Sequence, residues 1–201
     1  MRAISITLFI AAVLTILVLF IPTKQIPAPV PWQVEMMGDG YPRVLNLHLK
    51  NSSYRQAQKQ FHDYGDIALF TEPNKKPSLE VYFNSINIAG LSAKIILTLA
   101  ITKQETTSLL DHSQKSLLQA SGARKYEVNS QDIAKLLDKP IESLSYIPAV
   151  RLDKETVQFR FGKPEKIDFE NKEHTKQVWY YPNIGLTVFI REQEKTVFQF
   201  Y

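Results

Sequence analysis

The spacing of apolar residues changes character three times along this chain. Residues 4–21, ISITLFIAAVLTILVLFI, are uncharged and have no polar face. As a helix rising about 1.5 Å per residue, such a run reaches close to the thickness of a ~30 Å bilayer core. A cleaved signal would have a shorter apolar region and a small-x-small site, whereas here Pro22-TKQIPAPVP follows, with Ala28 its only small residue. The pattern predicts an uncleaved transmembrane helix over 1–24. Pro22, Pro27, Pro29 and Pro31 then predict a stiff, extended spacer.

Beyond the spacer the period becomes two. Trp32-QVEMM, a Gly38-Asp39-Gly40 turn and Tyr41-PRVLNLHL predict a hairpin, with Leu45, Leu47 and Leu49 on one face and Asn46 and His48 on the other. A helical stripe of Tyr54, Ala57 and Phe61 follows, opened by the capping box Ser53/Gln56 and stopped by Gly65. Strands are expected at 67–70, 79–83 and 86–101, separated by turn chemistry such as Glu72-PNKKPS.

A similar order recurs later. Residues 143–150 read as a strand. A helix opens at Asp153, with Leu152 and Val157 placed for a hydrophobic staple, and ends at Gly162 before Pro164. Strands follow at 166–169, 177–181, 184–191 and 196–201. Phe61 and Phe161 are 100 apart, Ile67 and Ile167 also 100, Tyr82 and Tyr180 98, and the Gly-Leu pairs at 90 and 185 are 95 apart. A slowly shrinking offset is what loop-length differences leave in a duplication. Between the copies, Thr102/Glu105 form a capping box before Leu109, Leu110, Leu117 and Leu118, and residues 131–138 suit a second helix capped by Ser130.

The expected fold is therefore α+β: an N-terminal transmembrane helix followed by two tandem helix-on-antiparallel-sheet units (β-α-β-β-β) with a helical insertion between them. The boundaries are 1–24 anchor, 25–41 spacer and hairpin start, 42–102 first unit, 103–140 insertion and 141–201 second unit.

Composition narrows the function classes. Of 24 basic residues, Arg2 and Lys24 flank the apolar run, leaving 22 against 20 acidic ones, too balanced for a nucleic-acid face. Arg2 and the terminal amine, against Lys24 beyond the run, predict an N-terminus in the cytoplasm and a body outside it. No cysteine is present, which removes disulfides, thiolate metal sites and a thiol nucleophile. His48, His62, His112 and His174 are dispersed, without an i, i+4 pair; His62 with Asp63 and Asp66, and Glu170-NKEH, read as solvated turns. No nucleophile elbow, phosphate loop or HExxH motif occurs. The expectation is a non-enzyme without cofactor or metal, although an enzyme built from unmarked acids, tyrosines and lysines would leave no such signature. Core packing is the default for the aromatic strands, and an outward patch of Trp179 and Tyr181 is the candidate partner-binding site.

Residues 152–164, LDKETVQFRFGKP, with the aromatic strand around Trp179 and the closing strands, resemble the SmpA/OmlA family of small envelope lipoproteins. The resemblance covers the second unit. It implies a Gram-negative envelope location, a helical layer on a three-stranded antiparallel sheet, and a non-enzymatic role in assembling or stabilising membrane protein complexes. This chain lacks the family's lipidated cysteine and carries an apolar N-terminal run instead, and its unit has one helix where the family has a pair. As a whole the chain resembles proteobacterial single-pass proteins. The expected role is a scaffold or accessory subunit at the inner membrane, its body periplasmic and its partner an envelope protein. A lipid, glycan or peptide ligand between the two sheets is the alternative.

Overall fold

A computed structural model describes residues 29–173 and 175–201. The chain first forms a small antiparallel sheet, β1 (Glu35–Met36), β2 (Pro42–Val44) and β3 (Leu47–His48). The predicted hairpin thus turns twice, the second time at Leu45 and Asn46, both at positive φ. Then come α1 (Tyr54–Phe61), β4 (Asp66–Thr71), β5 (Ser78–Ile88), β6 (Leu91–Leu99) and α2 (Lys103–His112). They are followed by β7 (Ser116–Leu118), β8 (Arg124–Glu127), α3 (Ser130–Leu136), β9 (Ile141–Pro148) and α4 (Lys154–Phe161). The chain closes with β10 (Lys166–Phe169), β11 (Lys176–Tyr181), a 3-10 turn (Pro182–Ile184), β12 (Leu186–Arg191) and β13 (Val197–Phe200).

The helix starts follow local chemistry. Ser53 and Gln56 at α1, and Thr102 and Glu105 at α2, make reciprocal capping boxes, and the Asp153 carboxylate accepts from the Thr156 N–H at 2.8 Å to open α4. At α3 the cap is Asn129 rather than Ser130, its Oδ1 accepting from the Gln131 N–H. α1 ends one residue after Phe61, with His62 itself left-handed (φ 51°) ahead of Gly65.

The expectation of two tandem units, each with its own sheet, is corrected: β4 to β13 form one antiparallel sheet in the order β10-β11-β12-β13-β9-β6-β5-β4-β8-β7. The two halves fuse because β9 and β13 pair, with Tyr146 opposite Phe198 and Leu144 opposite Phe200, while β9 also pairs along β6. β9 thus belongs between β6 and β13 instead of opening a second unit, and residues 141–201 form no separate three-stranded sheet of the kind the family resemblance implies. The segment 103–140 is not wholly helical either: β7 and β8 form a hairpin that pairs with β4 and extends the sheet. Leu117 and Leu118, expected on a helix, are strand residues and 65% and 62% exposed. The predicted anchor over 1–24 lies outside the described residues; among those described, no helix is long and apolar enough to cross a membrane.

One core lies on one side of the large sheet. Leu79, Val81 and Phe83 of β5, Ile95 and Leu97 of β6, Leu144 and Tyr146 of β9, and Phe198 and Phe200 of β13 all project there. They meet Tyr54, Ala57 and Phe61 of α1, Val157 of α4 and Leu45, Leu47 and Leu49 of the small sheet. Each such aliphatic or aromatic side chain contributes about 1.5–3 kcal/mol on burial.

Candidate binding surfaces

The helices and the small sheet gather on one side; the opposite side of β4 to β6 and β9 to β13 carries half-buried side chains, with Val178 and Thr187 buried at 6% and 7% exposure. The strand registers fix what it displays. Tyr82, Ile96, Ser145, Gln199, Thr187 and Tyr180 stand opposite one another in a single row across β5, β6, β9, β13, β12 and β11, with Asp66 and Lys166 at its ends. The next row holds Lys94, Ile147, Val197, Phe189, Val178 and Asp168. Tyr82 and Tyr180 thus occupy mirrored places about the β9/β13 seam, and each lies under a lysine: Lys94 Nζ is 4.8 Å from the Tyr82 ring centre and Lys166 Nζ 5.3 Å from that of Tyr180. Tyr82 donates to Glu80, and burial together with that carboxylate pushes its phenol up. The centre of the face is apolar and hydroxyl-bearing, with Lys94 its one charge. Asp66, Glu80, Lys166, Asp168 and Lys176 sit towards its flanks.

A second concavity lies on the helix side. An apolar cleft of about 420 Å³ opens between α4, the β5–β6 turn at Gly90 and Leu91, the segment after β9, and Pro31 and Trp32. Its walls include Tyr146, Val157, Phe161 and Phe198, with Phe161 packed on Phe198 at 5.5 Å. Arg160 is the only ionised side chain in the lining. Its guanidinium lies 4.3 Å from the centre of the Trp32 ring and makes no ion pair with any described residue. Tyr146 is 2% exposed, and its hydroxyl has no hydrogen-bond partner among the described residues. Burial alone pushes its phenol up.

The residues singled out in the sequence are placed elsewhere. Trp179 and Tyr181 are 4% and 5% exposed and project into the core side, so neither presents an outward patch. The Trp179 indole N–H donates to Gln177 Oε1 at 2.9 Å, and the Tyr181 hydroxyl donates to the Gly162 carbonyl at 3.1 Å, tying β11 to the end of α4. Burial pushes the Tyr181 phenol up to about 12. His48 pairs with Asp39 at 3.0 Å and His112 with Asp132 at 2.8 Å, while His62 forms the left-handed end of α1. His174 lies outside the described residues. Asp132 also receives Lys135 at 2.7 Å, and these two partners, Lys135 foremost, hold its carboxyl below the ordinary range. No hydroxyl or thiol nucleophile joins the His112–Asp132 pair among the described contacts. Among the described residues no three His, Asp or Glu side chains converge as metal ligands.

Tyr146, Arg160 and Trp32 had no mark in the sequence. Tyr146 sits in an ordinary strand pattern and Arg160 between two phenylalanines on a short helix. Only the tertiary fold brings them to one cleft. No family model, no curated protein and no solved structure matches this chain.

Proposed function

We propose that this chain is a membrane-tethered, non-catalytic interaction module, held at the bacterial inner membrane by residues 4–21 and acting as a scaffold or accessory subunit of an envelope protein complex. The observation that carries the interaction role is the sheet face opposite the helices. Seven inter-strand steps of about 4.8 Å and roughly five residues of about 3.3 Å give a flat area on the order of 500–600 Å². With side-chain relief this approaches the ~800 Å² that one partner contributes to a standard stable interface. Its arrangement matches interface anatomy: a charge-poor centre with Ile96, Ile147, Val197, Phe189 and two tyrosines, and a charged rim. The occupant it suits is a folded protein with a flat, apolar, charge-poor contact surface. The tether and the periplasmic side rest on the sequence, through the uncharged run and its weak basic flank.

A photocrosslinking side chain at Ile147 or Phe189, in intact cells, tests the reading. One adduct, common to both positions and absent when the label is at Lys59 on α1, is the expected result. Recovery of the lone chain from both positions across growth conditions removes it.

A further inference from the structure

The apolar cleft carries a second role, independent of the sheet face. Three observations converge on it. Its walls are almost wholly apolar, so the part of a ligand that enters must be hydrocarbon-like. Its single charge, Arg160, is an exposed residue at the cleft with no acidic partner among the described residues, and its guanidinium lies 4.3 Å from the Trp32 ring centre, leaving its N–H donors for an oxyanion. Tyr146 lines the cleft and is 2% exposed, and its hydroxyl, engaged by no described residue, keeps contact with solvent. A hydroxyl so placed is free to donate to a ligand oxygen that enters the cleft.

The geometry points to a binding site for a single hydrocarbon chain with an anionic head group, such as a fatty acid or one chain of an anionic lipid. The chain lies against Val157, Phe161 and Phe198, the head group meets Arg160, and the Tyr146 hydroxyl donates to a ligand oxygen. A volume of about 420 Å³ lies within the range of small-ligand sites. A glycan is disfavoured, because a cleft this poor in polar groups leaves its hydroxyls unpaired.

The test uses the full chain in discs of zwitterionic lipid. Trp32 fluorescence is titrated with a brominated medium-chain fatty acid and with the matching brominated alcohol. Trp179, buried in the core, supplies a constant background. Saturable quenching is expected, about tenfold tighter for the carboxylate than for the alcohol. Arg160→Gln should remove that advantage and leave the alcohol unchanged, while Tyr146→Phe, with near-ultraviolet circular dichroism matching the parent, should weaken both ligands a few-fold. A second arm places a brominated anionic phospholipid in the disc. Arg160-dependent quenching there makes bilayer lipid the source, and quenching only by added fatty acid makes it a free amphiphile. No saturable quenching in either arm, equal affinity for acid and alcohol, or an unaffected Arg160→Gln variant overturns the proposal.

Discussion

Gly65 shows how one atom can decide a connection. The residue sits between α1 and β4 at φ +69°, and a Cβ there would stand 2.6 Å from Val81 Cγ1 and 3.0 Å from Phe83 Cε1. Both neighbours are fully buried, so neither side chain can swing away. Gly65→Ala therefore combines left-handed strain with overpacking and should destabilise the fold by about 2–4 kcal/mol in denaturant unfolding. A loss under about 0.5 kcal/mol would show that the turn relaxes. Gly65 was legible in the sequence as a stop signal, but its contact with β5 was not, because it depends on where a strand more than a dozen residues later passes.

Elements were legible where their signals are local. Three capping sites lie within four residues of what they cap, and strand alternation survives any tertiary context. Residues 116–118 were not, because two adjacent leucine pairs seven and eight apart satisfy a helical stripe, while their actual state depends on pairing with β8, which in turn pairs with β4. Next to this hairpin, α2 and α3 are clasped by Asp132, which receives Lys135 on its own helix and His112 from the end of α2. Its carboxyl is lowered in the folded state from an ordinary value of 3.8, so its contribution is complete above that value and is lost as pH falls through the lower folded value. The difference in melting temperature between the parent and Asp132→Asn should be largest near neutral pH and shrink as the solution is acidified below that ordinary value. A pH-independent gap would show that the ionised pairing is not its source.

At the scale of the molecule, the β9–β13 seam joins the strands before and after it into one sheet. It has three registered residue pairs, and both Leu144 and Phe200 are fully buried beside it. Truncating Phe200 to alanine should cost about 3–5 kcal/mol and lower the stability of both halves together. Hydrogen exchange would report this as a matched loss of protection in β5–β6 and in β11–β12, and loss confined to β11–β13 would mean the halves unfold separately. The same seam aligns Tyr82 with Tyr180, so residues 98 apart in sequence fall in one row of the face opposite the helices. Spacing in the sequence was visible; the shared surface it creates was not.

Sequence by itself determined three of the helix caps, at Ser53, Thr102 and Asp153, the alternation of the strands and the uncharged run before the spacer, because each depends on neighbours within a few residues. Only the tertiary structure decided that the strands join in one sheet, that Trp179 and Tyr181 face its core, and that Tyr146, Arg160 and Trp32 meet at a cleft. Alternation says that successive side chains part to opposite faces. Which face is covered is set by registers and helix placement between distant segments, and that information belongs to no single stretch of chain.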